Sequence, residues 1–207
     1  MGRIKNSVEA MISGKVGNMV FVQDNGQTYI RTVPVRTKNS WSPKQKMHSK
    51  RFAMVNKFCS HFKKSMISAI WNLASPINRG YSLFVKANMP AFALDGTLID
   101  PQMLQVSTGN LLLPRQIIAE RQGEGSSSIA LNWQNDPNLS VLRLTDELMA
   151  VVSNGTQYSA AIATGLSRSA MEGMFELPLK PANVTLVYLF FAAKDGKDYS
   201  GSISLEV

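Results

Sequence analysis

Near its start the chain alternates apolar and polar residues. Met19-Val20-Phe21-Val22 and Thr28-Tyr29-Ile30-Arg31-Thr32 flank Gln23-Asp24-Asn25-Gly26-Gln27. Asn-Gly tolerates positive φ at both central positions of a type I′ turn, so the pattern predicts a β-hairpin. With Asn25 and Gly26 as the loop, Asp24 faces Gln27, Val22 faces Tyr29 and Phe21 faces Ile30. Met19, Phe21 and Ile30 then share one face. The preceding Gly14-Lys15-Val16-Gly17 reads as a turn into this hairpin. It is not a phosphate loop, because Glu9 stands where the first glycine belongs and Val16 where a magnesium-binding hydroxyl is required.

The period changes after Trp41. Ser42-Pro43-Lys44-Gln45 has the form of a capping box with Pro at the first helical position. Beyond it Met47, Met54, Val55, Phe58, Cys59, Phe62, Met66, Ile70 and Leu73 recur at three- and four-residue spacing, which predicts one helix from Pro43 to about Ala74. Lys46, Lys50, Lys57, His61 and Lys64 fall together on another face. Ser75-Pro76 ends the pattern, and a shorter helix from Arg79 to Met89 carries Tyr81, Phe84 and Met89 back onto the first. Arg51 interrupts the apolar stripe. A guanidinium there needs hydrogen-bond partners or a route to water; Glu9, outside the hairpin turn, is the expected carboxylate.

From residue 101 onward the elements are short. Met103–Ser107, Ser128–Trp133, Glu147–Val152, Gln157–Ala163, Gly173–Leu177, Thr185–Ala192 and Tyr199–Leu205 read as strands, with hairpin turns at Asn154-Gly155 and Asp195-Gly196. Seven strands in this span predict an antiparallel β-sandwich. Trp133 resembles the core tryptophan on an early strand of fibronectin type III domains. Val187-Tyr188-Leu189-Phe190 with Asp195-Gly196 and Ser200 resembles the closing hairpin of that immunoglobulin-like fold. The fold class expected is therefore α+β: a hairpin and long amphipathic helix in residues 1–95, then a sandwich in residues 96–207, with the domain boundary between Ala91 and Asp100, where Pro90, Gly96 and Pro101 cluster.

Charge sharpens that division. The chain has 207 residues, 44% hydrophobic and 17% charged, with 22 Lys+Arg, 14 Asp+Glu and a net charge of +8. Residues 1–94 carry 15 basic side chains and only Glu9 and Asp24 as acids, whereas residues 95–207 carry 7 basic and 12 acidic ones. Between Asn25 and Leu94 there are 12 basic residues and no carboxylate. Such asymmetry points to a polyanion partner, nucleic acid first. Arg31, Arg36, Lys38, Lys44, Lys46, Lys50, Lys57, His61 and Lys64 are the candidate phosphate contacts, with Trp41 for stacking.

Landmarks along the whole chain resemble those of an uncharacterised Bacteroidetes protein family of about this length. They are Gly2-Arg3-Ile4-Lys5-Asn6, Ser13-Gly14-Lys15-Val16-Gly17-Asn18, Tyr29-Ile30-Arg31, the helix start with Gln45, Arg51 and Phe52, Ile99-Asp100, Ser107-Thr108-Gly109-Asn110-Leu111 and the closing hairpin. The resemblance implies a bacterial protein and brings no activity with it.

The chemistry of the side chains argues against an enzyme. His48 and His61 lie about 20 Å apart along one helix, and no acid neighbours either. Cys59 sits on the apolar stripe, away from His61, as a buried inert thiol. One cysteine supplies neither a disulfide nor a multi-thiolate zinc site, and no calcium-ligand spacing surrounds Asp146-Glu147. No catalytic residue, metal, cofactor or small-molecule substrate is expected. The longest apolar run, Leu186–Ala193, is too short for a membrane span, and Met1–Asn6 leads into no signal-like stretch, so a cytoplasmic protein is expected. Two alternatives to polyanion binding stand: an assembly or scaffold role, in which the basic half mediates self-association or docks on a protein, and glycan binding by the sandwich.

Overall fold

The computed structural model describes residues 2–3, 13–24, 27–35, 41–75, 77, 79–123, 126–177 and 186–207. The chain divides into two compact units, Met1–Ser42 and Pro43–Val207. Glu9, Arg36, Lys38 and the Asn25-Gly26 turn lie outside the described residues.

The first unit is an antiparallel sheet of β1 (Gly2–Arg3), β2 (Gly14–Val16), β3 (Met19–Asp24) and β4 (Gln27–Thr32), in the order β1-β4-β3-β2. Its central hairpin has the expected register: Phe21 pairs with Ile30, Val22 with Tyr29 and Asp24 with Gln27. The glycine-rich stretch is more than a turn. Gly14–Val16 form a strand of their own, and Gly17, at φ 56°, reverses the chain so that Val16 pairs with Met19. Only a residue without Cβ takes that φ cheaply.

In the second unit, α1 (Pro43–Ser60) starts where predicted but does not run on to Ala74. Residues 61–65 form a tight turn, and α2 (Met66–Leu73) comes after it. The reason lies in the side chains at the break. Ser60 Oγ donates to Lys57 O at 2.7 Å, Ser65 Oγ donates to Phe62 O at 2.8 Å, and His61 Nδ1 lies 3.0 Å from Lys57 O. These groups compete for the carbonyls a continuing helix would use. The backbone tightens to i→i+3 bonds, as in His61 N to Phe58 O at 3.2 Å and Phe62 N to Cys59 O at 3.1 Å. Ser65 then opens α2 in extended geometry, φ −111° and ψ 169°. The short helix α3 (Gly80–Asn88) does pack back as expected, with Phe84 6.0 Å from both Phe58 and Phe62, ring centre to ring centre.

The described residues of the rest of the second unit hold seven strands: β5 (Gln116–Arg121), β6 (Ser128–Gln134), β7 (Glu147–Ser153), β8 (Ile162–Ser167), β9 (Glu172–Glu176), β10 (Leu186–Ala192) and β11 (Ile203–Glu206). They make two antiparallel sheets, β5-β6-β9 and β11-β10-β7-β8. Ile129, Leu131, Trp133 and Phe175 from the first pack against Leu148, Val152, Val187, Leu189 and Phe191 from the second. Trp133 is thus a core residue, edge-on to Phe191 at 6.1 Å. The opposite face of the four-stranded sheet, through Val151, Tyr188 and Phe190, packs on Val55, Phe62, Ile67, Ile70 and Trp71 of the helical layer. Strand β10 is buried on both sides, which explains its unbroken apolar run.

That three-layer arrangement corrects the expected boundary near residue 95. Helices and sandwich share one core, and the division falls after Ser42. Within the stretch expected to hold that boundary, Ala91 to Asp100, residues 92–98 form a tight turn in which Ala93 N donates to Thr97 O at 2.8 Å. Gly96, at φ 89°, lies so close to α1 that a Cβ there would sit 2.7 Å from Met54 Cγ. Nor is Met103–Ser107 a strand. Pro101–Met103 form a 3₁₀ turn, and side chains from α2 and α3 hold Gln105 and Val106 beyond it. Buried Asn88 accepts from Gln105 N at 2.8 Å and donates to Gln105 O at 3.0 Å, while Trp71 Nε1 donates to Val106 O at 3.2 Å. Gly109 explains itself by contact: a Cβ there would fall 2.1 Å from Tyr199 O.

Candidate functional site: a basic helix face and a buried arginine

In α1 the residues that enter the core are Val55, Phe58 and Cys59. At 100° per residue, Lys46, Lys50 and Lys57 lie roughly opposite them. Lys44, Lys46, Lys50 and Lys57 are exposed, as are His61, Lys63 and Lys64 in the turn after the helix. Among the described residues none of these lysines forms an ion pair. Lys50 does act on Asp95, whose carboxyl is held below its ordinary range first by the Thr97 backbone N–H and then by lesser effects including Lys50. Glu172 and Glu176 of the sandwich are exposed and Asp198 pairs with Arg143, so these three acids leave the stripe uncovered within this unit. Arg31 and Trp41, both exposed, belong to the first unit. Met47 and Met54, expected in the core stripe, are 42% and 39% exposed and flank the lysines.

Arg51 is half-buried and does find a backbone partner. Its Nε donates to Met89 O at 3.1 Å, and Nη2 donates to the same oxygen. The guanidinium thereby meets a carbonyl just past the C-terminus of α3, where the helix dipole favours a cation. Cys59 is buried, and burial pushes its thiol up to about 12, away from nucleophilic chemistry. Among the described residues no three His, Cys, Asp or Glu side chains are placed to hold a metal ion.

A second cluster, unanticipated from the sequence, gathers at one end of the sandwich. The β6–β7 connection supplies Arg143 and Asp146, the β8–β9 turn supplies Arg168, and the β10–β11 hairpin supplies Asp198. Arg168 is 0% exposed and Asp146 2%. Arg168 Nε lies 3.5 Å from Asp146 Oδ2, and its guanidinium carbon lies 3.7 Å from the centre of the Phe191 ring. Its backbone is pinned as well: Arg168 N donates to Asp146 O at 2.8 Å, and Asn135 Nδ2 donates to Arg168 O at 3.0 Å. Met171, at φ 59°, closes the turn in left-handed geometry unusual for a side chain of its kind. Arg143 reaches Asp198 Oδ2 at 3.0 Å and Asp146 Oδ1 at 3.9 Å. Burial raises the Asp146 carboxyl and lowers the Arg168 guanidinium, each partly opposed by the other's charge.

The described residues define a class: a mixed α/β protein with three antiparallel sheets and three helices, a cation-bearing helix and a polar cluster among the connections of its second unit. The chain belongs to DUF6266, a family of unknown function whose model matches residues 11–206. Neither a curated protein nor a solved structure matches it. No helix among the described residues is long and apolar enough to cross a membrane.

Proposed function

We propose that the protein is a non-enzymatic binding protein whose basic helix holds a polyanion, nucleic acid first. One observation carries this reading: Lys46, Lys50 and Lys57 stand exposed on the face of α1 opposite its core residues, with no described carboxylate in ion-pair range. Lys44 in the first turn of α1 and Lys64 in the turn after it add exposed positive charge, and His61 is exposed as well. Contacts of this kind neutralise phosphates and release counterions, giving salt-dependent affinity with little base specificity. The full chain is therefore expected to bind mixed duplex DNA at about 50 mM salt and to release it as salt rises. Replacing Lys46, Lys50 and Lys57 together by Gln should lower the salt slope by about 0.9 per lost contact and leave the circular dichroism spectrum unchanged. No measurable binding at that salt sinks the proposal.

We further infer that the seven strands form a fibronectin type III-like sandwich. Lettered A to G in chain order, they give sheets A-B-E and G-F-C-D, with the fourth strand beside the third. The buried tryptophan on the second strand supports the same reading. A second functional reading, self-assembly, is favoured by the outward face of β5-β6-β9, where Glu120 and Glu172 flank exposed Ile118 and Met174. Sedimentation at low salt distinguishes it, since a lysine face seated on another copy yields oligomers without nucleic acid.

A further inference from the structure

The outward face of β5-β6-β9 is a groove with acidic walls. The antiparallel register sets Glu120 of β5 level with Ala130 of β6 and Met174 of β9, and Ile118 level with Asn132 and Glu172. Ala130 thus makes the floor at the centre, and longer side chains on the two outer strands make the walls of a groove of about 680 Å³. Those walls stand two strand spacings apart, about 9.5 Å, close to the width of a helix with its side chains, about 10 Å. Ile118 is 55% exposed and Met174 63%. Glu120, Glu172 and Glu176 are exposed too, and none forms an ion pair among the described residues. The outward positions of the three strands carry these carboxylates and no basic side chain.

We propose that this groove receives helix α1 of a second copy of the chain. The two faces match in charge and in apolar content. At 100° per residue, Met47 and Met54 fall beside Lys46, Lys50 and Lys57, and all five are exposed. The groove sets three carboxylates beside Ile118 and Met174. The charged tracts also have one scale: Lys46 and Lys57 lie about 16 Å apart along the helix axis, and Glu172 and Glu176 about 13 Å apart along β9. A polyanion leaves the two methionines without a partner, whereas a groove with apolar walls gives these adaptable side chains one.

The layering makes this a contact between copies. Sheet β11-β10-β7-β8 separates the helical layer from β5-β6-β9, so the groove and α1 lie on opposite outer sides of the second unit. A copy is thereby kept from seating its own helix. The contact joins two different faces, so each one formed leaves a lysine face on one copy and a groove on the other, and association continues past the dimer. It is also small. The 18 residues of α1 span about 27 Å, a footprint far below the roughly 800 Å² per partner of a stable interface. Association is therefore weak and sensitive to salt. The inference rests on the self-assembly reading and names its two faces. Because both occupants need the same three lysines, a seated copy excludes a polyanion.

The test is sedimentation equilibrium of the full chain without nucleic acid, up to about 1 mM protein, at about 20 mM and about 300 mM salt, either side of the range where screening sets in. Average mass should climb with concentration at the lower salt and stay monomeric at the higher. Lys46→Glu with Lys50→Glu, and separately Glu172→Lys with Glu176→Lys, should each weaken association at least tenfold with the circular dichroism spectrum unchanged. Mixing the two double variants should restore it, because the lysine helix of one then meets the acidic groove of the other. Both variants stay net positive, since each substitution moves the parent's +8 by two, so bulk attraction does not account for restoration. A parent that stays monomeric at low salt overturns the inference together with the self-assembly reading. Association that survives both double variants, or that mixing fails to restore, overturns this seating and leaves self-assembly standing. Duplex DNA that binds the parent without loosening its self-association overturns the seating as well.

Discussion

Phe58→Ala tests whether helices and sandwich form one cooperative body. Phe58 is 7% exposed, and its ring centre lies 5.5 Å from Phe62, 6.0 Å from Phe84, 6.2 Å from Phe92 and 5.0 Å from Tyr158. It therefore joins α1, the turn after it, α3, the 92–98 turn and the segment leading to β8. Removing a buried aromatic ring exposes or empties about 150 Å² of apolar contact, worth about 4 kcal/mol at 25 cal/mol per Å². Alanine retains part of this and the residual cavity costs more, so about 3–5 kcal/mol is expected. For a body of this size each kcal/mol moves Tm by about 2–4 °C, giving a fall of about 8–16 °C for 4 kcal/mol. Hydrogen exchange followed by mass spectrometry across a urea series resolves the elements separately. Peptides from α1 to α3 and from β6, β9 and β10 should shift to lower urea together. If β6 and β9 keep the parent midpoint while the helices shift, the shared core is not cooperative and the boundary near residue 95 is restored.

Two further substitutions read single groups. Arg51→Met should cost about 1.5–3 kcal/mol in urea unfolding, the range for a hydrogen bond from a charged group, with Arg51→Lys recovering part of it. A loss of about 4 kcal/mol or more would mean that a carboxylate is stranded instead. Cys59 has a folded thiol pKa of about 12 against an ordinary 9.0, so the native state holds its proton where the unfolded chain loses it. Stability should fall above pH 9 by up to about 1.4 kcal/mol per unit for this one group. Cys59→Ala should flatten the fall, and an equal alkaline slope in parent and variant would refute the assignment.

Local chemistry was legible in the sequence, and assembly from distant parts was not. The hairpin register followed from Asn25-Gly26 because a two-residue turn leaves one pairing that keeps Phe21 opposite Ile30. The break at residues 61–65 stayed hidden because an i→i+3 turn keeps nearly the helical phase, so Phe62, Met66 and Ile70 continue the apolar spacing across it. Strand β5 was missed because Gln116–Arg121 sets two isoleucines side by side and is an edge strand with alternating half-burial. Met103–Ser107 alternates like a strand, but Asn88 and Trp71 take the partners a neighbouring strand would need. The Arg168 cluster had no motif to reveal it. Its four charged residues come from three connections, and only the sheet order brings those connections to one end. A lone arginine between apolar β8 and a turn was its faint signal.

The lysine face gains weight from what the fold does without it. Helix α1 is held through Val55, Phe58 and Cys59, and the Arg51 bond to Met89 O ties it to the end of α3. None of Lys46, Lys50 or Lys57 takes part in that core. Lys46 and Lys50 stand four residues apart, a like-charge spacing that destabilises a helix by about 0.2–0.5 kcal/mol. No acid in α1 offsets it, since the helix contains none. The first turn, where the dipole favours negative charge, carries Lys44 and Lys46. Stability alone therefore gives no reason for this sign pattern. The proposed polyanion would supply the missing negative charge and relieve the repulsion on binding.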